Sequence, residues 1–272
     1  MDYELVAIAT IRTDFPTKFG VPRQSGLVKG LKGRIVFEPE YRDPEALRGL
    51  EGFSHIWLLW DFSEARKDSS KPFGPPSLSL PNCSASDGQL PLKGEAFSAE
   101  ISLPSREGWG GSFHPTVRPP RLGGNRRMGV WATRSPFRPN NIGLSSVRIL
   151  SIDLHTPEGP VITVEGADLM DGTPIFDIKP YLPFTDSHPD AKGGFTEETI
   201  NPDLSTDSKL YTFNSKLKEL FDAEKLEALR EILASDPRPH YHDNPDRVYV
   251  MPFAGQEVKF RIKAGEVEAW IE

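Results

Sequence analysis

Short apolar runs, rich in β-branched residues and separated by turns of Pro, Gly and Asn, recur through the first two thirds of the chain. They predict strands at residues 5–12, 34–37, 54–62, 128–133, 144–154 and 161–165. Asp43 followed by Pro44 and helix formers predicts a short helix over residues 43–50. Regular short strands with such turns favour a barrel or a sandwich over alternating strands and helices.

The rest of the chain has a different character. Residues 63–112 are rich in Ser, Pro, Gly and Lys, which predicts a long flexible insertion, and a polar stretch at 186–207 indicates a domain boundary. Beyond it the pattern predicts strands at 209–215, 248–253 and 257–262 and a helix at 222–234. We therefore expect a mainly β domain over residues 1–185 and a small α+β domain over 186–272.

Several classes of protein are excluded by composition. No apolar run approaches the roughly 18 residues of a membrane span, and the first residues lack a secretory signal, so we expect a cytoplasmic protein without a membrane partner. The single cysteine, Cys83, excludes internal disulfides, thiolate zinc clusters and three-cysteine iron–sulfur sites. The histidines lack ligand spacing, so no metal is expected.

Arginine is unevenly distributed. The formal net charge is −7, yet residues 108–152 hold seven arginines and no Asp or Glu. Arginine is the residue that best makes planar, bidentate contacts to phosphate or bases, so this segment is a candidate RNA contact. A solvated charged face would give the same pattern.

Two dense segments, 115–140 and 168–181, have the composition of a binding site. The first places prolines beside arginines, which restrains the backbone that presents the guanidinium groups. The second gathers Asp168, Asp171, Asp177 and Lys179 around a turn at 172–174. These carboxylates could serve catalysis, or could pair with the arginines as structural salt bridges. No glycine-rich nucleotide loop or P-loop motif occurs.

These segments resemble the TsaA/TrmO family of tRNA adenine-N6 methyltransferases. The resemblance also rests on Val-Pro-Arg-Gln-Ser-Gly-Leu-Val at 21–28, Arg-Gly-Leu-Glu-Gly-Phe-Ser-His-Ile-Trp at 48–57 and Asp-Pro-Arg-Pro-His-Tyr at 236–241. It implies a closed β-barrel that binds S-adenosylmethionine without a Rossmann domain, a small α+β C-terminal domain and a homodimer. The implied reaction is N6-methylation of threonylcarbamoyl-modified adenosine at tRNA position 37, 3′ of the anticodon, in threonine tRNAs.

The resemblance also implies a cofactor site. Its residues would be Gln24, Ser25, Gly26, Ser63, Glu64, Arg134, Leu144, Asp168, Leu169, Met170, Asp171 and Gly172. Ser63 and Glu64 differ from the family's usual pair at these positions. Arg134 could bind the methionine carboxylate or a nearby phosphate, while Asp168 or Asp171 could accept hydrogen bonds from ribose hydroxyls, the adenine amine or the methionine ammonium.

The other expected roles concern catalysis and tRNA. Removal of the N6 proton calls for a base, and the sequence does not rank the candidates Asp171, Asp177 and Tyr181. For the phosphates of the tRNA anticodon stem-loop the candidates are Arg118, Arg121, Arg126, Arg127 and Arg138. Base stacking could come from Trp109, Phe113, Trp131 and Phe137, each of which could equally pack in a core.

Two other functions fit the same sequence. One is a β-barrel that binds tRNA without catalysis, and the other is a barrel that senses S-adenosylmethionine without acting on RNA. The insertion at 63–112 lies next to the expected cofactor site, where it could be a lid, a tRNA-contacting flap or a passive loop.

Overall fold

A computed structural model describes residues 4–62, 114–119, 126–199, 210–238, 244–263 and 266–272. The expected insertion at 63–112, which includes Ser63 and Glu64, lies outside these residues, and so does Arg121. In the part of the chain that is described, no helix is both long enough and apolar enough to cross a membrane.

Six strands close into a barrel. They are β1 (Ala9–Arg12), β2 (Lys32–Phe37), β3 (His55–Asp61), β6 (Ile142–Thr156), β7 (Gly159–Glu165) and β8 (Thr173–Pro180). Their order is β1-β2-β7-β6-β3-β8, and every neighbouring pair is antiparallel. The prediction of a mainly β protein with a closed barrel is confirmed.

The barrel interior is filled by alternate residues of each strand. On β3, Ile56, Leu58 and Trp60 are buried, and the intervening residues are half-buried on the outer face. Two-residue alternation is what an antiparallel strand produces when one face meets the core. Burying such apolar side chains contributes roughly 1.5–3 kcal/mol each, so the interior fixes the register of the sheet.

Two local predictions were right only in part. The short helix expected over residues 43–50 is a 3₁₀ helix at Pro44–Leu47, capped by Asp43 as predicted, and a second 3₁₀ turn follows at Leu50–Gly52 after the left-handed Gly49. The strand expected at 128–133 stops after β5 (Met128–Gly129), which pairs with β4 (Thr116–Val117), and Val130–Ala132 is 3₁₀. The second dense segment contains β8, for which no strand had been predicted beyond the turn at 172–174.

The C-terminal part is a small α+β unit. Its sheet has the order β10-β11-β12-β9, with β9 (Leu210–Phe213) parallel to β12 (Glu266–Trp270). The other strands are β10 (Tyr249–Phe253) and β11 (Gln256–Lys263). Within the described residues the α-helices are α1 (Pro183–Asp186), α2 (Ser215–Leu220) and α3 (Ala223–Ala234). Asp222 caps α3, as its side chain accepts a hydrogen bond from the Lys225 N–H.

The loop between β1 and β2 belongs to both parts of the molecule. Phe15, Val28 and Leu31 from this loop are buried in the same hydrophobic cluster as the sheet and helices of the C-terminal unit. The Lys29 N–H donates to the Glu231 carboxylate at 2.5 Å, so α3 also holds the loop by a polar contact. The C-terminal unit thus braces a loop that the barrel itself does not bury.

Candidate cofactor and RNA site

Antiparallel pairing brings three connecting segments to one end of the barrel. The β1–β2 loop, the β7–β8 turn and the segment that leads into β6 all join strands at this end. The Gly26 N–H donates to the Gly166 carbonyl at 2.9 Å, and the Gly166 N–H donates to the Leu31 carbonyl at 2.9 Å. The predicted segments around Gln24 and Asp168 are therefore joined directly.

Glycine is required where the two loops touch. Gly26 and Gly166 have φ of +75° and +79°, a region that other residues seldom adopt. A Cβ on Gly166 would lie 3.2 Å from both the Cα and the N of Gly26. The pair therefore permits a close backbone approach that places the Gln24–Gly26 segment beside the β7–β8 turn.

Asp168 is the best-defined polar group at this end of the barrel. The Ser145 hydroxyl donates to its Oδ1 at 2.5 Å, and Ser145 in turn accepts the Trp60 Nε1–H at 2.9 Å. Burial raises the pKa of the Asp168 carboxyl above its ordinary value, while the Ser145 hydrogen bond, the Arg134 charge and a backbone hydrogen bond from Ser25 partly offset that rise. A cation bound beside this carboxylate would lower its pKa further.

Arg134 is exposed beside this carboxylate. Its Nη1 donates to Gln24 Oε1 at 2.6 Å, and the Gln24 amide donates to the Arg23 carbonyl at 2.6 Å. The exposed guanidinium lies close enough to the half-buried Asp168 carboxylate to lower its pKa, and the backbone of Ser25, next to Gln24, donates a hydrogen bond to that carboxylate. Leu144, on β6 next to Ser145, is 48% exposed and adds an apolar surface.

The β7–β8 turn is fastened to the end of β1. The Gly172 N–H donates to the Ile11 carbonyl at 2.9 Å, and the Thr13 hydroxyl donates to the Leu169 carbonyl at 3.1 Å. Leu169 is buried in the barrel core, so only its backbone is available to a ligand. Met170 is half-buried.

The three candidate bases are dispersed. Asp171 lies in the β7–β8 turn, whereas Asp177 lies within β8 and pairs with Lys179 at 2.8 Å. Tyr181 follows β8 at the opposite end, where its ring packs 5.6 Å from that of Trp57. An eight-residue strand spans roughly 25 Å. Within one chain, only Asp171 of the three shares the end of the barrel that holds Asp168.

The described arginines of the expected RNA contact differ in their environment. Arg138 donates to the carbonyls of Val130, Thr133 and Ser135, so it stabilises the segment before β6. Arg127 donates to the Thr116 hydroxyl at 3.1 Å and, like Arg118 and Arg126, is exposed. Arg138 also lies 5.1 Å from the ring centroid of Trp131, which is 66% exposed.

Sequence reasoning missed Trp60 and Ser145. A signal was present, because Gly143, Ser145 and Val147 alternate on the inward face of β6 and a serine at such a position needs a hydrogen-bond partner. It could be read only with the strand register known. The aromatic candidates Trp109 and Phe113 lie outside the described residues.

Comparison with known proteins places this geometry in a family. The family models for the tRNA-methyltransferase O N-terminal domain and the TrmO C-terminal domain match residues 10–82 with 101–187, and residues 209–270. The tRNA (adenine(37)-N6)-methyltransferase of Escherichia coli is 34% identical over 268 residues, covering 96% of this chain and 93% of that protein.

A sequence and a crystal structure from Pseudomonas aeruginosa extend the match. A putative S-adenosylmethionine-dependent methyltransferase, RcsF, is 33% identical over 255 residues, covering 92% of this chain and 88% of that protein. A crystal structure of TrmO has a TM-score of 0.65 at 24% identity, covering 100% of this chain and 98% of that one, which shows a shared fold. The resemblance found in the sequence is confirmed, and the chain belongs to the tRNA-methyltransferase O (TrmO) family.

Proposed function

We propose that this protein transfers a methyl group from S-adenosylmethionine to N6 of the adenosine at tRNA position 37. The Escherichia coli relative is named as an enzyme of this activity, and the RcsF relative is named as dependent on S-adenosylmethionine. The observation that carries the proposal is the meeting of Gln24, Arg134 and Asp168, from three distant segments, at one end of the barrel.

The side chains at this end fit the methionine part of the cofactor, which is zwitterionic. The half-buried Asp168 carboxylate suits a positive group, because burial leaves its negative charge incompletely compensated. The exposed Arg134 guanidinium suits a carboxylate. Further contacts would come from Ser25, Gly26, Leu144 and the turn at 168–172, together with Ser63 and Glu64.

The substrate we assign is adenosine 37 that already carries a threonylcarbamoyl group, in threonine tRNAs. The family resemblance supports this choice. In such a base the N6 lone pair is delocalised into the purine and a carbonyl, which makes N6 a weak nucleophile. S-adenosylmethionine supplies a methyl group activated by a sulfonium.

The protein's contribution is alignment and proton removal. As the N6 lone pair forms the new bond to carbon, the carbon–sulfur bond breaks with its electrons left on sulfur, and the N6 proton must pass to a base. We assign that role to Asp171, the candidate that shares the end of the barrel with Asp168. Alignment of donor and acceptor can lower a barrier by roughly 7–11 kcal/mol.

We assign tRNA binding to the exposed arginines Arg118, Arg126 and Arg127, which would neutralise anticodon-loop phosphates. A homodimer is part of the same proposal. Sedimentation of the protein alone and with tRNA tests it, because a single chain and a pair differ two-fold in mass.

Arg134→Ala tests the cofactor site. Calorimetry should show S-adenosylmethionine affinity reduced about ten-fold or more, the typical effect of removing a hydrogen-bonded charge. The control is Arg34→Ala, which removes an exposed arginine from the 2.6 Å pair with Glu158 on the barrel wall. Equal affinity in Arg134→Ala and the control would contradict this placement.

A labelled-methyl assay then separates the possible functions. The unaltered protein should methylate threonine tRNA that carries the threonylcarbamoyl group and should leave the unmodified tRNA unlabelled. Salt-sensitive tRNA binding without transfer would identify a non-catalytic RNA-binding barrel. Cofactor binding without tRNA binding would identify a sensor.

A further inference from the structure

Two buried polar side chains lie behind Asp168. Trp60 on β3 is 7% exposed and Ser145 on β6 is 1% exposed. The Trp60 indole donates to Ser145 Oγ at 2.9 Å, and Ser145 donates to Asp168 Oδ1 at 2.5 Å. The hydrogen bonds therefore run from the barrel core to the candidate cofactor site.

The donor and acceptor of each of these two hydrogen bonds are fixed by the chemistry of the groups. An indole N–H can only donate, so the Ser145 oxygen must act as an acceptor toward Trp60. The one hydroxyl proton is then available for the Asp168 carboxylate, which can only accept when ionised. Trp60 thus sets the orientation of the hydroxyl, and the hydroxyl sets the position of one carboxylate oxygen.

The indole is also held sterically. Trp60 lies opposite Gly143 on β6, and a Cβ added to Gly143 would fall 2.2 Å from the indole Cε2. The centroid of the Phe62 ring also lies 4.1 Å from that of the Trp60 ring. An indole packed in this way cannot swing away from Ser145, so the hydrogen bond to Asp168 has a rigid origin.

We propose that Ser145, oriented by Trp60, is a positioning residue that aims the ionised Asp168 carboxylate at the positively charged methionine portion of S-adenosylmethionine. This inference rests on the proposed function, in which Asp168 contacts the cofactor.

The hydrogen bonds from Trp60 through Ser145 also affect the charge state of Asp168. Burial raises the pKa of this carboxyl and the Ser145 hydrogen bond lowers it, so loss of the hydroxyl should raise the pKa further. Among the described residues, the charged side chain acting on this carboxyl is Arg134. Strands β3 and β6 contribute the neutral Trp60 and Ser145, and the β1–β2 loop contributes the Ser25 backbone. Affinity for a cation is present above the pKa of Asp168 and is lost as pH falls through it.

Ser145→Ala tests the proposal, with S-adenosylmethionine as the probe and calorimetry over a range of pH as the measurement. We expect affinity at neutral pH to fall about ten-fold. We also expect the pH at which affinity is half lost to move upward. Trp60→Phe, which keeps a ring but removes the N–H, should have the same two effects to a smaller extent: a lower affinity at neutral pH and a higher pH at which affinity is half lost.

Ser146→Ala is the matched control, since Ser146 follows on the same strand with its side chain on the outer face. Thermal unfolding reports whether each variant folds. If Ser145→Ala lowers only the unfolding temperature and leaves the pH profile unchanged, Ser145 is structural and the inference is wrong. If the unaltered protein does not bind the cofactor, the proposed function itself fails.

Discussion

Asp171 lies where the β7–β8 turn meets the end of β1, and both of its carboxylate oxygens have neighbours there. Oδ1 accepts the Thr13 N–H at 3.0 Å, and Oδ2 is 3.7 Å from the Arg12 guanidinium. Its own N–H donates to the Phe15 carbonyl at 2.7 Å. The residue therefore braces the turn, and a catalytic role must be separated from this one.

Asp171→Asn makes that separation, because an amide oxygen can still accept the Thr13 N–H while the basic carboxylate is lost. We expect single-turnover methyl transfer to slow by about 10²–10⁴-fold, the usual effect of removing a general base. The affinity for tRNA should stay near that of the unaltered protein, and any loss of cofactor affinity should be far smaller than the loss of rate.

The comparison variant is Asp177→Asn, which changes a carboxylate within β8 that is paired with Lys179. It should leave the transfer rate nearly unchanged. Transfer by Asp171→Asn within about three-fold of the unaltered protein would assign Asp171 to bracing alone, given the size of general-base effects.

Among the elements, the strands that sequence predicted correctly are those with an apolar or β-branched run that no charge interrupts, such as β3 and β7. β8 was missed because Pro174, Asp177 and Lys179 interrupt its pattern. The structure tolerates them: Pro174 lies opposite Thr10 near the strand's start, and the register with β3 shifts at Leu59 and Trp60. Whether a strand accepts a proline or a charged residue depends on its neighbours in the sheet, which the local sequence does not show.

The candidate site was also predicted in part, in its segments but not in its contacts. Family motifs located the Gln24 segment, Arg134 and the Asp168 turn, but contacts that depend on strand register, such as Ser145 with Asp168, were not accessible. The bracing of the β1–β2 loop by the C-terminal unit was also unforeseen. Phe15 and Leu31 carry no mark in sequence that distinguishes packing against α3 from packing inside the barrel.

Substitution of Gly20 tests whether the C-terminal unit holds the β1–β2 loop in place. Its φ is +95°, and an added Cβ would lie 2.2 Å from the sulfur of Met251, which is fully buried on β10. Gly20→Ala should therefore destabilise the protein by about 1–3 kcal/mol from overpacking, beyond the backbone strain of a positive φ. Because the same loop carries Gln24, cofactor affinity should fall as well.

Gly49→Ala provides the matched control. Gly49 has a φ of +87° and nothing within 4 Å of the position of an added Cβ, so its substitution introduces backbone strain alone. Denaturant unfolding and calorimetry of the two variants give the difference due to the Met251 contact. Equal losses of stability in both would show that the loop is not held tightly against β10.

For the whole molecule, the net charge of −7 repels RNA at long range, so binding must depend on the local arginines of residues 108–152. Each phosphate neutralised on single-stranded RNA contributes about 0.7 to the slope of log affinity against log salt. We expect Arg126→Gln with Arg127→Gln to reduce that slope by about 1.4, measured by tRNA titrations at several salt concentrations.

The control, Lys259→Gln with Lys263→Gln, removes the same charge from β11, where each lysine pairs with a carboxylate, and should leave the slope unchanged. If both pairs reduced the slope equally, tRNA would be responding to overall charge, and the arginine segment would have no special part in binding it.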